Sequence, residues 1–381
     1  MEFLADLHVH TKYSRATARD CGIDSLAQWA DKKGIAVMST GDFTHPSYFA
    51  GLEQGLHETA PGLFAVKGGN ARARFVLSVE VSTVCRRDGK TRRVHHLVFV
   101  PGFEAARKFR SLVAPFGRLE ADGRPVLKMD PVDLLAEVLE SGEGSFLIPA
   151  HIWTPWYSVL GSGSGFGSIE ECYGDLCSHI FALETGLSSD PEMNRRVAGL
   201  NCYTLVSCSD AHSPQKIARE ATVFDTDINY FSILKALKDG TGYSGTLEFF
   251  PEEGKYHADG HRKCGVCFGP EETEKHKGIC PVCGKPLTVG VLNRVSRLAA
   301  DYRGTGLPVK AAGRTEHLVP LREILGEVLR TDWKKTAGKK LETEIAACYE
   351  SLVGEFGSEL DVLRKVPEAD LNAAGIHPLL G

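Results

Sequence analysis

Over the first 245 or so residues, short apolar runs alternate with amphipathic stretches, the pattern of a chain that takes strands and helices in turn. FLADLHVH and IAVMST read as strands. IDSLAQWADKKG between them reads as a helix capped near Asp24 or Ser25 and ended by Gly34. RFVLSVEVSTVC and RRVHHLVFV flank RRDGKTRR, where Asp88-Gly89 predicts a hairpin turn. Next come the helix DPVDLLAEVLESG, the strand SFLIPA, a helix after SIEECYG, the strand HIFALET, the helix DPEMNRRVAGLN and the strand CYTLVSCSD. Such alternation implies a largely parallel sheet or barrel.

The texture changes between residues 254 and 290, where Cys264, Cys267, Cys280 and Cys283 form CxxC, twelve residues, CxxC. Four thiolates at that spacing predict tetrahedral zinc with no open coordination position, a structural staple for a piece too small to hold a core. Beyond residue 290 the stretches VGVLNRVSRLAAD, VPLREILGEVLRTD and LETEIAACYESLVGEFGSELDVLRK are helical and amphipathic. The division expected is therefore 1–245, 246–290 and 291–381.

Bulk properties refine this picture. A length of 381 residues exceeds what one hydrophobic core usually serves. Hydrophobic content of 43% and charged content of 24% are ordinary for a soluble protein, and no apolar run approaches the ~20 residues of a membrane span. The N-terminus lacks a basic, apolar, small-residue secretion pattern, so a cytoplasmic, intracellular protein without a membrane partner is expected. Eleven cysteines, four of them in CxxC pairs, suit reduced thiols and a metal. The net charge of -5 does not announce a nucleic-acid binder, yet residues 284 to 340 carry 12 Lys or Arg against 5 Asp or Glu. A basic stretch beside an acidic metal region fits a polyanion track; a solvated helical surface explains the same count.

The chemistry enters through histidine and carboxylate positions. In a strand, residues i and i+2 share a face, so Asp6, His8 and His10 look the same way. Asp42 and His45 follow the second strand, Glu80 lies in the third and His95 or His96 in the fourth; His151 ends the fifth, Glu184 the sixth, and Asp210 with His212 the seventh. Taken singly, each reads as a satisfied structural group. Together they choose the carboxyl ends of strands, the edge on which α/β barrels build chemistry. At least six such ligands exceed the need of one zinc, whereas two or three divalent ions bridged by a carboxylate suit phosphoester hydrolysis. Mixed ligation by histidine and carboxylate suits Zn, Mn or Fe better than Mg alone. GSGSGFGS at residues 161 to 168, after His151 and the aromatic cluster Trp153, Trp156 and Tyr157, is expected to hang over this face as a mobile loop.

DLHVH, the GD followed by His45, the Glu80 strand, HHLVFV, PAHIW and CSDAH together resemble the polymerase and histidinol phosphatase (PHP) superfamily, a distorted seven-stranded (β/α)7 barrel with a trinuclear metal site. TGDFTHP, ETGLSSDPEMN, SDAHSP, the four-cysteine ribbon and the basic helical tail resemble, more narrowly, the endonuclease Q family, which nicks DNA 5' to deaminated bases and abasic sites. The resemblance implies one metal on His8, His10, Glu80 and Asp210. A second would sit on bridging Glu80 with His96 and His151, and a third on His45 and His212 with Asp42. Ser14, Arg15 and Ala16 stand where many superfamily members carry a further histidine, and Arg15 is assigned to phosphate. Asp210, Glu80 and His10 are the expected catalytic residues. Two or three divalent metals (Zn, Mn or Mg) and one ribbon zinc are the implied cofactors, and DNA, as damaged duplex or single strand, the partner.

His95 and His96 compete for one place. A two-residue turn at Asp88-Gly89 pairs Glu80 with Leu97 and turns His95 to Glu80's face, whereas a three-residue loop turns His96 there. The resemblance of HLVFV to the family's His-Leu pattern selects His96. Two other functions compete with the endonuclease: a small-molecule phosphoesterase of the histidinol phosphatase kind, and a non-catalytic DNA-binding accessory protein.

Overall fold

A computed structural model describes residues 2–303, 306, 308–330 and 339–375. Its strands are β1 (Glu2–Asp6), β2 (Val37–Ser39), β3 (Leu56–Ala60), β4 (Leu63–Val66), β5 (Arg74–Arg87), β6 (Lys90–Val100), β7 (Val126–Leu127) and β8 (Phe146–Pro149). They continue as β9 (Ala182–Glu184), β10 (Thr204–Val206), β11 (Ala221–Asp225), β12 (Tyr243–Glu248), β13 (Asp259–His261), β14 (Val266–Phe268) and β15 (Arg314–His317). One sheet runs in the order β15-β12-β11-β1-β2-β5-β4-β3, with β6 and β7 on β5 and β8 on β6. β1, β2 and β5 are mutually parallel, and β9 and β10 form a separate parallel pair. The fold is mixed α/β, and the sheet is mixed too, with β11 antiparallel to β1 and β12, β4 to β3 and β5, and β6 to β5 and β8.

Local chemistry explains the elements that carry the site. The helix Ile23–Lys33 begins after Gly22 and ends at Gly34, which takes the left-handed conformation that closes a helix. β5 and β6 are long, rich in β-branched residues, and joined by Asp88 and Gly89 with φ of 52° and 73°. Two consecutive positive φ values are those of a two-residue type I′ turn, which fixes the register. Arg87 pairs with Lys90 and Glu80 with Leu97.

Two apolar clusters pack on the sheet. One gathers Leu26, Phe75, Val98, Leu134, Trp153 and Leu205, and the other Leu7, Phe99, Ile148 and Leu237. Part of the chain after the cysteine-rich segment packs on this body. Val291, Val295 and Leu298 of the helix Val291–Asp301 join the first cluster, and β15 adds a parallel edge strand to β12. No described helix is long and apolar enough to cross a membrane.

Two expected elements differ. The stretch 191–200 holds only the short helix Pro191–Arg195, capped by Asp190, before a 3-10 turn. The glycine-rich stretch 161–168 is held down: Ser162 Oγ donates to Val289 O, and Arg294 donates to the carbonyls of Leu160 and Phe166. A side chain at Gly165 would strike the backbone of Gly161, so these glycines serve close packing rather than mobility.

Candidate metal centre

Four donors lie just past strand ends, and Glu80 and His95 lie within strands. His8 and His10 lie just beyond β1, where Val9 bridges to Ala211 in parallel and draws the loop after β10 alongside. Glu80 sits mid-β5, His95 lies in β6 opposite Ser82 and on Glu80's face of the sheet, His151 is just past β8 and Asp210 past β10. His151 and Asp210 adopt positive φ of 28° and 46°, conformations disfavoured by about 1 kcal/mol or more in L-residues and concentrated at functional sites. Gly186 makes the first possible, because a Cβ there would stand 2.5 Å from His151 Cβ.

The donors form two sets, His8/His10/Asp210 and Glu80/His95/His151. Within the first, His8 Nε2 and His10 Nε2 are 3.3 Å apart, and Asp210 Oδ1 is 3.5 Å and 3.1 Å from them. In the second, His95 Nδ1 and His151 Nε2 are 3.3 Å apart. Glu80 spans both. Its Oε1 lies 2.6 Å from His95 and 3.1 Å from His151, while its Oε2 lies 3.2 Å from His10 and 3.7 Å from His8. Imidazole nitrogens converging in pairs on a buried carboxylate make a donor set suited to divalent cations.

Electrostatics agree. Burial alone would lower the His8 pKa, but Glu184 and Asp210 outweigh it and lift it to about 10. Burial likewise opposes ionisation of Glu80, yet His95, Arg124 and the surrounding hydrogen bonds hold it well below the carboxylate range. The pocket therefore carries a field that attracts positive charge.

No protein-family model matches the chain. The uncharacterised Bacillus subtilis protein YqxK is 28% identical over 383 residues, covering 96% of this chain and 90% of the relative. Among solved structures, the lesion-specific endonuclease Q of Pyrococcus furiosus aligns with a TM-score of 0.82 at 28% identity, over 100% of this chain and 89% of that one. Endonuclease Q complexed with a 27-mer duplex bearing an abasic lesion at the active site aligns with a TM-score of 0.84 at 29% identity, over 100% and 90%. Over its whole length this chain has the architecture of endonuclease Q.

Within that endonuclease Q architecture several expected site residues move. The two-residue hairpin turn puts His95, not His96, beside Glu80. His96 faces the other side of the sheet, bonded to Thr83 Oγ1 and Tyr173 OH at 2.9 Å each, and burial lowers its pKa to about 3. Asp42 points at the loop after His10: its Oδ2 accepts from Thr11 N and Oγ1, and its Oδ1 from Ser14 Oγ at 2.9 Å. Its Oδ1 also lies 3.5 Å from His10 Nδ1. The His45 ring lies tilted against Tyr13 with centroids 4.4 Å apart, and His212 Nδ1 turns to Asp210 O at 2.9 Å. Among the described residues, Asp42, His45 and His212 are not gathered into a third set. Arg15 points outward, 82% exposed and 3.4 Å from Asp122.

The ribbon also differs. The clustered quartet is His261, Cys264, Cys280 and Cys283. Cys267 lies in β14 opposite Gly260 and is exposed. Two similar turns explain this: His261-Arg-Lys-Cys264-Gly265 and Cys280-Pro-Val-Cys283-Gly284 each end on a glycine with positive φ, 66° and 70°. That repeated ligand-x-x-Cys-Gly was the signal in the sequence, masked by the more conspicuous Cys264-x-x-Cys267.

One residue marked only by its strand-end position gains a role here, and one escaped sequence reading. Glu184 is buried and accepts from His8 Nδ1 at 2.9 Å and from His151 N at 2.6 Å, orienting one member of each set. Arg124, from an irregular loop with no motif, donates from Nη1 to Glu80 Oε2 at 3.0 Å. Both line a cavity of about 490 Å3 over the donors, with Trp156, Tyr157, Arg219 and Tyr256 on its walls.

Proposed function

We propose that this chain is a metal-dependent DNA repair endonuclease, similar to endonuclease Q, hydrolysing the phosphodiester 5' to uracil, hypoxanthine, xanthine or an abasic site. The observation that carries the reading is a buried carboxylate spanning two histidine sets beneath a cavity that adjoins two others. Cavities of about 900 Å3 and 800 Å3 adjoin the central one. Phe249 lines the central cavity and the first neighbour, Trp156, Gly254, Lys255 and Tyr256 line the central cavity and the second, and Glu253 lines all three. Adjoining cavities suit an extended ligand; a small phosphate ester calls for a pocket that encloses it.

His8, His10 and Asp210 would hold one divalent ion and His95 and His151 another, with Glu80 between them. Zn, Mn or Mg there would supply Lewis acidity toward the attacking water and the departing oxygen. The water oxygen bonds to phosphorus, the bond to the leaving sugar oxygen breaks, and the water's proton passes to that oxygen by way of solvent. Glu184 and Asp42 keep the imidazoles aimed. A damaged base cannot be read inside a duplex and is flipped out at a cost of a few kcal/mol, least at mispaired bases. Trp156, 45% exposed and edge-on to Tyr256 at 6.3 Å, offers a stacking surface beside the donors.

In this reading residues 1–245 form the distorted PHP barrel, 246–290 a zinc ribbon with ligands His261, Cys264, Cys280 and Cys283, and 291–381 a helical region, in an intracellular protein. The test is incubation with Mn or Mg and duplexes carrying one uracil, hypoxanthine, xanthine or abasic site. A nick 5' to the lesion is expected, and cleavage no greater than that of the undamaged duplex overturns the reading.

A further inference from the structure

We propose that Arg124 is a catalytic residue that contacts the scissile phosphate, serving as a fixed positive charge beside two, rather than three, metal positions. The inference rests on the phosphodiesterase reading above.

Arg124 and the first donor set share one oxygen. Glu80 Oε2 accepts from Arg124 Nη1 at 3.0 Å on one side and faces His10 Nε2 at 3.2 Å on the other. The guanidinium is 25% exposed and lines the same cavity as Asp210, His95 and His151. A guanidinium has five N–H donors in a rigid fork. Among the described residues its one hydrogen bond goes to Glu80, which leaves the rest of the fork for a ligand in the cavity.

The loop that carries Arg124 is held at both ends. On one side Gly123 N donates to Tyr13 O at 2.8 Å, and Asp122 accepts from the backbone of Arg15 and Arg124. On the other, Pro125 O accepts from Ser82 N at 2.9 Å, two residues along β5 from Glu80. Gly123 packs directly on the loop after His10: a Cβ there would lie 2.5 Å from Asp42 Oδ2 and 2.6 Å from Ser14 Oγ. Asp42 accepts from Thr11 and Ser14, His45 lies against the Tyr13 ring and His212 Nδ1 faces Asp210 O, and among the described residues these three are not gathered into a third donor set. The space and charge at this end of the site thus belong to the Gly123-Arg124 turn.

In an in-line displacement the new P–O bond forms as the old one breaks, and the non-bridging oxygens keep the negative charge. A guanidinium beside two cations is suited to those oxygens, because its paired N–H groups match the spacing of phosphate oxygens. Preorganised donors of this kind are worth about 10²–10³-fold in rate when removed singly.

Arg124→Met and Arg124→Lys should be compared with wild type in three measurements: metal per chain by mass spectrometry after Mn loading, single-turnover nicking of an abasic duplex, and hydrolysis of bis(p-nitrophenyl) phosphate. Expected are three metal ions per wild-type chain, two in the centre and one in the ribbon, and the same number in both variants. Arg124→Met should lose about 10²-fold or more on both esters, with Arg124→Lys recovering part. Four ions per wild-type chain, unchanged rates, or loss of metal in step with loss of rate would overturn the proposal, the last by reducing Arg124 to a positioning residue for Glu80. Wild type that cleaves the model ester but not the lesion duplex removes the DNA reading while leaving the Arg124 comparison decisive. Hydrolysis of neither ester by metal-loaded wild type overturns both.

Discussion

His95 and His96 are adjacent, equally metal-competent and opposite in fate, because neighbouring residues in a strand point to opposite faces. His95 meets Glu80 at 2.6 Å, while His96 is closed in by Thr83 and Tyr173. His95→Ala is expected to remove one ion from the centre and slow nicking at least tenfold, whereas His96→Ala keeps the metal count and lowers stability by roughly 1–3 kcal/mol through unpaired buried partners. Metal analysis beside thermal melts separates the two. The same contrast applies to Cys267 and His261. Cys267→Ser should retain the ribbon ion and His261→Ala should lose it, read by chelator-released zinc from the purified protein.

Among the elements, the join between the helical C-terminal segment and the sheet body is the least expected. Lys33, in the last turn of the helix Ile23–Lys33, lies 2.6 Å from Glu359, the first residue of the helix Glu359–Arg364, with side-chain exposures of 2% and 4%. Burial lowers the Lys33 pKa although Glu359 opposes the shift. Removing one partner strands a buried charge, so Glu359→Gln should cost roughly 3–5 kcal/mol, and the double replacement Lys33→Met with Glu359→Leu should recover most of it. Denaturant melts of the three variants check this; an additive double variant would show that the pair is not coupled. Many cations of the basic 284–340 stretch are likewise engaged within the fold. Arg294 binds carbonyls, Arg314 pairs with Glu2 at 2.6 Å, and Lys310 donates to Phe181 O, while Lys334 and Lys335 lie outside the described residues.

For the whole molecule, pH dependence should reveal a second acidic cluster behind the metal centre. Glu220 and Glu248 are buried across the β11-β12 pair; burial pushes Glu248 up to about 8 and Glu220 also upward, although Ser207 hydrogen-bonds to Glu248. Thr246 also bears on Glu248 and lowers it, Arg219 lowers Glu220, and Asp190 and Glu184 add negative charge nearby. An acid whose pKa rises on folding contributes stability that is complete below its ordinary value of 4.5 and is lost as pH climbs through about 8. Stability should therefore fall across that window, by up to about 1.4 kcal/mol per pH unit for each such group. Glu248→Gln should flatten the slope and melt higher than wild type at pH 8 but not at pH 5. An unchanged slope in thermal melts at the two pH values would sink this assignment.

Local rules were enough for much of this protein. Period and spacing marked the strands, Asp88-Gly89 the hairpin, and the strand-end positions of His8, His10, His151 and Asp210, with Glu80 inside its strand, the metal-competent edge, because each depends on residues near in the chain. The endonuclease Q likeness was legible in short motifs for the same reason. What needed the tertiary structure were choices among chemically equal neighbours and contacts across long separations. One hydrogen-bond register chose His95, a turn geometry chose His261 over Cys267, and packing of Gly123 on the Asp42 loop brought Arg124 to a glutamate 44 residues away. No periodicity encodes such meetings, since they arise where separate elements converge on a shared carboxylate.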